Sequence, residues 1–173
     1  MPPTADIATL TIRPMRDADR DAVIDLIWQS NRHEAGLDPA GQPFAQDRDT
    51  EREAATATLE SERGEVAEHG GALVVAEEAG AVVGYLCWLV QDADPFVRAE
   101  VRGYGYVADL VVTEEQRGRG IGRRLLAEAE ALTRRQGLKR LAIGVLCGND
   151  GAIRTYRRFG FKDFALEMLK ALD

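Results

Sequence analysis

Val111-Val112-Thr113-Glu114-Glu115-Gln116-Arg117-Gly118-Arg119-Gly120-Ile121-Gly122 is the stretch on which the reading of this chain turns. An apolar pair ends a strand, a polar turn follows, and three glycines alternate with Arg119 and Ile121 as a helical run begins. Glycine lets backbone approach a ligand with no Cβ in the way. The first amides of a helix have no internal partner, and the helix dipole there favours an anion. Strand, glycine-rich loop and helix in that order suit a phosphate cradle, with Arg117 and Arg119 adding charge from its rim. No Gly-Lys-Ser/Thr follows, so this is not a P-loop. The G-x-G-x-G spacing, without an early βαβ unit, does not fit a dinucleotide fold either.

Outward from the loop, Tyr106 to Val112 reads as the strand that feeds it. Gly120 to Arg135 reads as a helix with Ile121, Leu125, Ala129 and Leu132 on one face. A short buried strand is expected over Arg140 to Leu146, a helix over Asp150 to Phe159 ended by Gly160, and a final strand over Phe161 to Leu169. Upstream, Ile7 to Ile12 reads as a first strand. A helix follows with Asp17 at its N-cap and Ala22, Val23, Leu26 and Ile27 at helical spacing. Asn31 to Gln46, with Gly36, Pro39, Gly41 and Pro43, reads as a loop. Glu51 to Glu65 favours a second helix. Ala72 to Ala76 and Val82 to Val90 pair as a hairpin around Gly80, and Asp92 to Gly105 is a polar connection. The order β-α-α-β-β-β-α-β-α-β implies an α+β fold, a mixed central β-sheet flanked by helices. Neither a repeat nor a linker interrupts it, so residues 1–173 read as one domain.

Composition excludes several classes. The chain has 173 residues, 45% of them hydrophobic and 29% charged, the profile of a globular protein. A net charge of -7 argues against a nucleic-acid partner, which needs a basic face. No apolar run reaches membrane-spanning length and no secretory leader is visible, which points to the cytoplasm and away from a membrane. Cys87 and Cys147 both lie in apolar runs and are expected to be buried free thiols. There is no C-x-x-C pair and no G-x-S-x-G elbow, and the two histidines, His33 and His69, are far apart, so neither metal nor nucleophilic chemistry finds support.

A second motif makes the loop specific. Arg117 to Gly122, followed by Arg123-Arg124-Leu125-Leu126, resembles the Q/R-x-x-G-x-G/A signature of the GNAT N-acetyltransferase superfamily. Asn149-Asp150-Gly151-Ala152-Ile153-Arg154-Thr155-Tyr156-Arg157-Arg158-Phe159-Gly160-Phe161 is similar to the family's N-x-x-A-x-x-x-Y-x-x-x-G-F segment. The two stand in the family order from Tyr106 to Phe161; from Ile7 to Val90 the likeness rests on strand order alone. The resemblance implies acetyl-CoA as co-substrate. The main chain of Leu110, Val111 and Val112 would pair with its pantetheine arm. The amides of Arg117, Gly118, Arg119, Gly120, Ile121 and Gly122 would hold its pyrophosphate, and Asn149 and Ala152 would touch it from the far side. A V-shaped gap is expected between the Tyr106 strand and the Arg140 strand. The acceptor would be a small-molecule or peptidyl amine, and a homodimer accords with the family's habits.

Transfer to an amine needs the amine deprotonated, the carbonyl polarised and the thiolate protonated. The resemblance assigns the last to Tyr156, whose alternative is a core aromatic on a helical apolar face. Relatives place a base Glu at the positions of Ala108 or Gly144, and this chain has neither. Asp109 is the nearest carboxylate, either anchoring or deprotonating a cationic amine or serving a structural role on the other side of the sheet. His33, Glu34, Trp28 and Phe44 border the expected acceptor pocket, and each reads as well as solvated charge or core aromatic. Tyr85 and Trp88 read as packing. Arg154, Arg157 and Arg158 are a solvated face or a steering patch for the 3′-phosphate. Direct transfer in a ternary complex is the expected mechanism. A non-catalytic CoA-binding module and a protein or peptide N-acetyltransferase are the alternatives.

Overall fold

The computed structural model of the chain describes residues 10–172. Ile7, Ala8 and Thr9 of the expected first strand lie outside the described residues; β1 spans Thr11–Pro14. α1 (Arg20–Ala35) and α2 (Arg52–His69) follow, then β2 (Gly71–Glu78), β3 (Ala81–Asp92) and β4 (Gly103–Val112). α3 (Ile121–Arg135), β5 (Leu141–Ile143) and α4 (Asp150–Phe159) complete the order. The strands lie side by side as β1-β2-β3-β4-β5, antiparallel except for the parallel pair β4 and β5. Ala79 and Gly80 turn the β2–β3 hairpin with φ of 50° and 81°, the left-handed pair a two-residue turn requires.

β3 explains why the sheet lies between two helical layers. Its side chains alternate faces, and both faces are apolar. Tyr85, Cys87 and Leu89 pack with Val111 against Val23, Ile24, Ile27 and Leu59 of α1 and α2. Leu86 and Trp88 pack with Val107 against Ile121, Leu125 and Ala129 of α3. Trp88 Nε1 donates to Thr133 Oγ1 at 3.0 Å, and that hydroxyl donates to Ala129 O at 2.7 Å. Gly105 makes room for this chain: a Cβ there would stand 2.3 Å from Thr133 Oγ1 and 2.6 Å from Trp88 Nε1. No helix among the described residues is long and apolar enough to cross a membrane.

Three expectations are corrected. Asn31 to Ala35 is helix, not loop, because α1 runs on to a C-cap at Gly36 and buries Asn31. β5 ends at Ile143 rather than Leu146, so Cys147 falls beyond the strand and is exposed, whereas Cys87 is buried. The final strand over Phe161 to Leu169 is absent: the segment has no ladder with β5 or any other described strand. Its root is held elsewhere. Phe161 N donates to Tyr156 O at 3.1 Å, and Arg157 clasps Asp163 through bonds of 3.0 and 2.6 Å.

Candidate active site

The site begins at Ala108. The β3–β4 register pairs Trp88 with Val107 and then Cys87 with Asp109, leaving Ala108 as an extra residue. Such a bulge bends its strand and re-aims the side chains beside it. Pairing with β5 stops at the same point, since Val107 opposite Ile143 is the last parallel pair. From Ala108 to Val112 the strand therefore keeps β3 on one edge and has lost β5 on the other. A cleft of about 640 Å³ opens there, lined by all five of these residues and by Gly144 across the gap. The expected V-shaped opening thus lies between the Tyr106 strand and the Arg140 strand.

The loop after β4 closes one end of the cleft. Gly118 and Gly120 take φ of 78° and 84°, and Gly120 is the N-cap of α3, so left-handed backbone presents the helix start to the opening. Arg117, Gly118, Gly120, Ile121 and Gly122 line it. Arg119 is not on the lining. Its guanidinium forks onto Glu78, Nη1 to Oε2 at 2.8 Å and Nη2 to Oε1 at 2.9 Å, and also bonds the Gln116 side chain. It ties the loop to the end of β2. Arg117 Nε donates to Val112 O at 3.2 Å. Arg123 of α3 and Arg158 of α4 line the cleft as well and add positive charge to it. Of the arginine run on α4, Arg157 is engaged by Asp163 and Arg154 does not reach the cleft. Arg123, quoted with the motif, was not singled out as a site residue because a helical arginine after a glycine loop carries no mark of its own.

The far wall is α4. Asn149 Oδ1 accepts from Ala152 N at 3.2 Å and so caps the helix, while both residues also line the cleft. Tyr156 lies one turn on, its ring edge-on to Phe161 with centroids 6.1 Å apart. Burial, then the charges of Asp109 and Glu34, push its phenol up to about 12.

Asp109 meets Tyr156 from the strand side. The bulge turns it to the face of Cys87, toward α1 and α2, where Ser30, His33 and Glu34 also line the cleft. Burial, and next the charge of Glu34, hold its carboxyl well above the ordinary carboxylate range; a bond from the Leu110 amide and the charge of Arg48 act the other way. Glu34 is itself paired with Arg48 at 2.5 Å. Behind Asp109, Glu62 is buried on α2 and accepts from the Tyr85 hydroxyl at 2.7 Å. Burial and then the charge of Asp109 raise its carboxyl too. Trp28, Phe44, Tyr85 and Trp88 stay out of the lining. Trp28 Nε1 donates to Thr50 O at 2.7 Å, with Arg32 over its ring at 5.2 Å.

Residues 20–161, more than half of the chain, match the profile of the Acetyltransferase (GNAT) family. The chain belongs to that family. As a GNAT protein it is 45% identical over 60 residues to Acetyltransferase Atu2258 of Agrobacterium fabrum, covering 35% of this chain and 42% of that one. It is 36% identical over 92 residues to the L-methionine sulfoximine/L-methionine sulfone acetyltransferase of Pseudomonas aeruginosa, 52% of this chain and 49% of that one. It thus spans under half the length of these relatives. The GNAT fold is also that of the aminoglycoside N-acetyltransferase AAC(6')-Iy solved with CoA, at a TM-score of 0.65 and 17% identity over 94% of each chain.

Proposed function

We propose that this chain is an acetyl-CoA-dependent N-acetyltransferase that moves the acetyl group directly to a primary amine within one ternary complex. The observation that carries this is the cleft itself. A glycine cradle with arginines lies at one end, unpaired β4 edge runs between, and a phenol beside two carboxylates lies at the other. The cradle and the splayed edge suit a long ligand with a pyrophosphate and an extended amide-bearing arm. Acetyl-CoA supplies an activated thioester there. Leu110, Val111 and Val112 offer main-chain partners to the arm, Arg117 to Gly122 offer amides to the pyrophosphate, and the Arg119 side chain holds that loop in place. Asn149 and Ala152 close the far side.

The acceptor end is suited to a cation. Asp109 and Glu34 bring negative charge to the opening, which attracts an ammonium. Asp109 takes the ammonium proton, directly or through water, and its raised pKa suits a base working near neutral pH. The freed amine forms the new N–C bond as the C–S bond breaks. Tyr156, protonated at neutral pH, gives its proton to the departing sulfur, and the second proton that the nitrogen sheds on becoming an amide restores the phenol. The Pseudomonas relative is named for the acetylation of L-methionine sulfoximine and L-methionine sulfone, and the structural neighbour is named an aminoglycoside N-acetyltransferase, in keeping with an amine acceptor. One observation favours a second reading, a CoA-binding module without turnover: Ala108 and Gly144 carry no carboxylate. Thermal shift with acetyl-CoA, read beside thiol release in an amine panel, separates the two. Binding with amine-dependent release supports the enzyme, and binding without release to any amine supports the module.

A further inference from the structure

α2 buries Ala55, Leu59 and Glu62, which recur at helical spacing on one face. The first two suit a core; the third is a carboxyl with only 8% of its residue surface exposed. Taking a carboxyl out of water is costly unless it is paired, and an apolar side chain would cost less at such a place. Yet among the described residues no cation pairs with Glu62. The Tyr85 hydroxyl donates to Oε2 at 2.7 Å, and the Cys87 thiol bonds the same carboxyl. The charged groups that act on it, Asp109 and Glu65, are themselves carboxyls.

The arrangement leads to the cleft. Tyr85 and Cys87 are alternate residues of β3 on the face toward α1 and α2, and the register sets Cys87 opposite Asp109. One polar cluster thus runs from α2 through β3 to the cleft lining, with Glu62 inside and Asp109 at the opening. The transfer described above employs Asp109 and Tyr156 and leaves Glu62 without a task. We propose that Glu62 is a positioning residue for that transfer, a second carboxyl behind Asp109 whose negative charge strengthens Asp109 as the base toward the acceptor ammonium. The inference rests on the reading of Asp109 as base. Two interacting carboxyls give up their protons one after the other, the second against the charge of the first. Burial and then the charge of Asp109 raise the Glu62 carboxyl, with Glu65 adding to them, while the bonds from Tyr85 and Cys87 lower it. Burial and Glu34 raise Asp109, and the Leu110 amide and Arg48 lower it. The other titratable or charged residues of the cleft are His33, Tyr156, Arg117, Arg123 and Arg158. During transfer the ammonium proton ends on Asp109; Glu62 acts by its charge and receives none.

The test follows the side-chain carboxyl carbons of isotope-labelled aspartate and glutamate by NMR as pH is varied, with no ligand added. Glu62→Gln, which keeps an acceptor for Tyr85, is expected to lower the titration midpoint of Asp109 by about one pH unit. Asp109→Asn is expected to lower that of Glu62 by a like amount, because the coupling is mutual. Asp109 is only half-buried, so this reciprocal reading stands even if Glu62→Gln fails to fold. For the fastest acceptor of the amine panel, kcat/KM is expected to reach its plateau at a correspondingly lower pH in Glu62→Gln. A midpoint at either carboxyl that neutralising the other leaves unmoved overturns the proposal. So does a kinetic profile that Asp109→Asn flattens and Glu62→Gln leaves in place. Midpoints that move while Asp109→Asn leaves the kinetic profile unchanged overturn the reading of Asp109 as base, and the role of Glu62 with it.

Discussion

Tyr156 and Asp109 line the same cleft, the proposed mechanism gives them opposite tasks, and burial drives both pKa values upward. For a phenol that secures the proton at neutral pH; for a carboxyl it makes a base. Tyr156→Phe is expected to lower kcat by about 10²-fold, the scale of a lost general acid, with little change in acetyl-CoA affinity. Single-turnover kinetics beside calorimetric binding would check it. Asp109→Asn is expected to flatten the rise of kcat/KM with pH through the neutral region, because the ionised carboxylate is the working form; an unchanged profile would remove Asp109 as base. That both residues line the cleft was legible in the sequence, Tyr156 from its motif and Asp109 from its neighbourhood on the strand. The orientation of Asp109 was not, because it depends on the bulge at Ala108, which no residue pattern announces. Nor was the engagement of Arg119, whose partner Glu78 is 41 positions away in sequence.

At the scale of elements, the loop and the bulged strand make the site, and each has a support that can be removed. Arg119→Ala is expected to raise the acetyl-CoA Kd about tenfold, or about 1.4 kcal/mol, while kcat changes less, since it frees the loop without touching the acceptor end. Glu78→Gln should act in the same direction, and titration calorimetry reads both. Gly105→Ala is expected to destabilise the fold by about 1–3 kcal/mol, because its Cβ would displace the Trp88–Thr133 hydrogen bond; denaturant unfolding measures it. A continuous apolar run made β3 readable from sequence, helical periodicity α3, and the second motif α4. β5 and the segment after it read less well. An apolar run from Arg140 to Leu146 looks continuous, but the splay at Ala108 ends its partner's ladder at Val107.

For the whole molecule, two carboxyls, that of buried Glu62 and that of half-buried Asp109 in the cleft, bear on how stability follows pH. Glu62 and Asp109 have folded pKa values raised above those of the unfolded chain, so the folded state binds more protons from the ordinary carboxylate range up to the raised values. Stability therefore falls as pH rises through that window. The melting temperature is expected to be several degrees lower at mildly alkaline than at mildly acidic pH. Glu62→Gln, which keeps an acceptor for Tyr85, should reduce that difference. The α+β architecture and the position of the cleft were legible because two motifs fix one side of the molecule. The α1 side was legible only in part: of the four residues singled out there, His33 and Glu34 line the cleft and Trp28 and Phe44 do not, while Ser30 was missed because the helix's apolar pattern speaks only for its other face. The most direct measurement of the central claim is CoA thiol release from acetyl-CoA across aminoglycosides, polyamines, amino acids and N-terminal peptides. Amine-dependent release that Tyr156→Phe sharply reduces is the expected result. Tight acetyl-CoA binding with no amine-dependent release from any acceptor would contradict it.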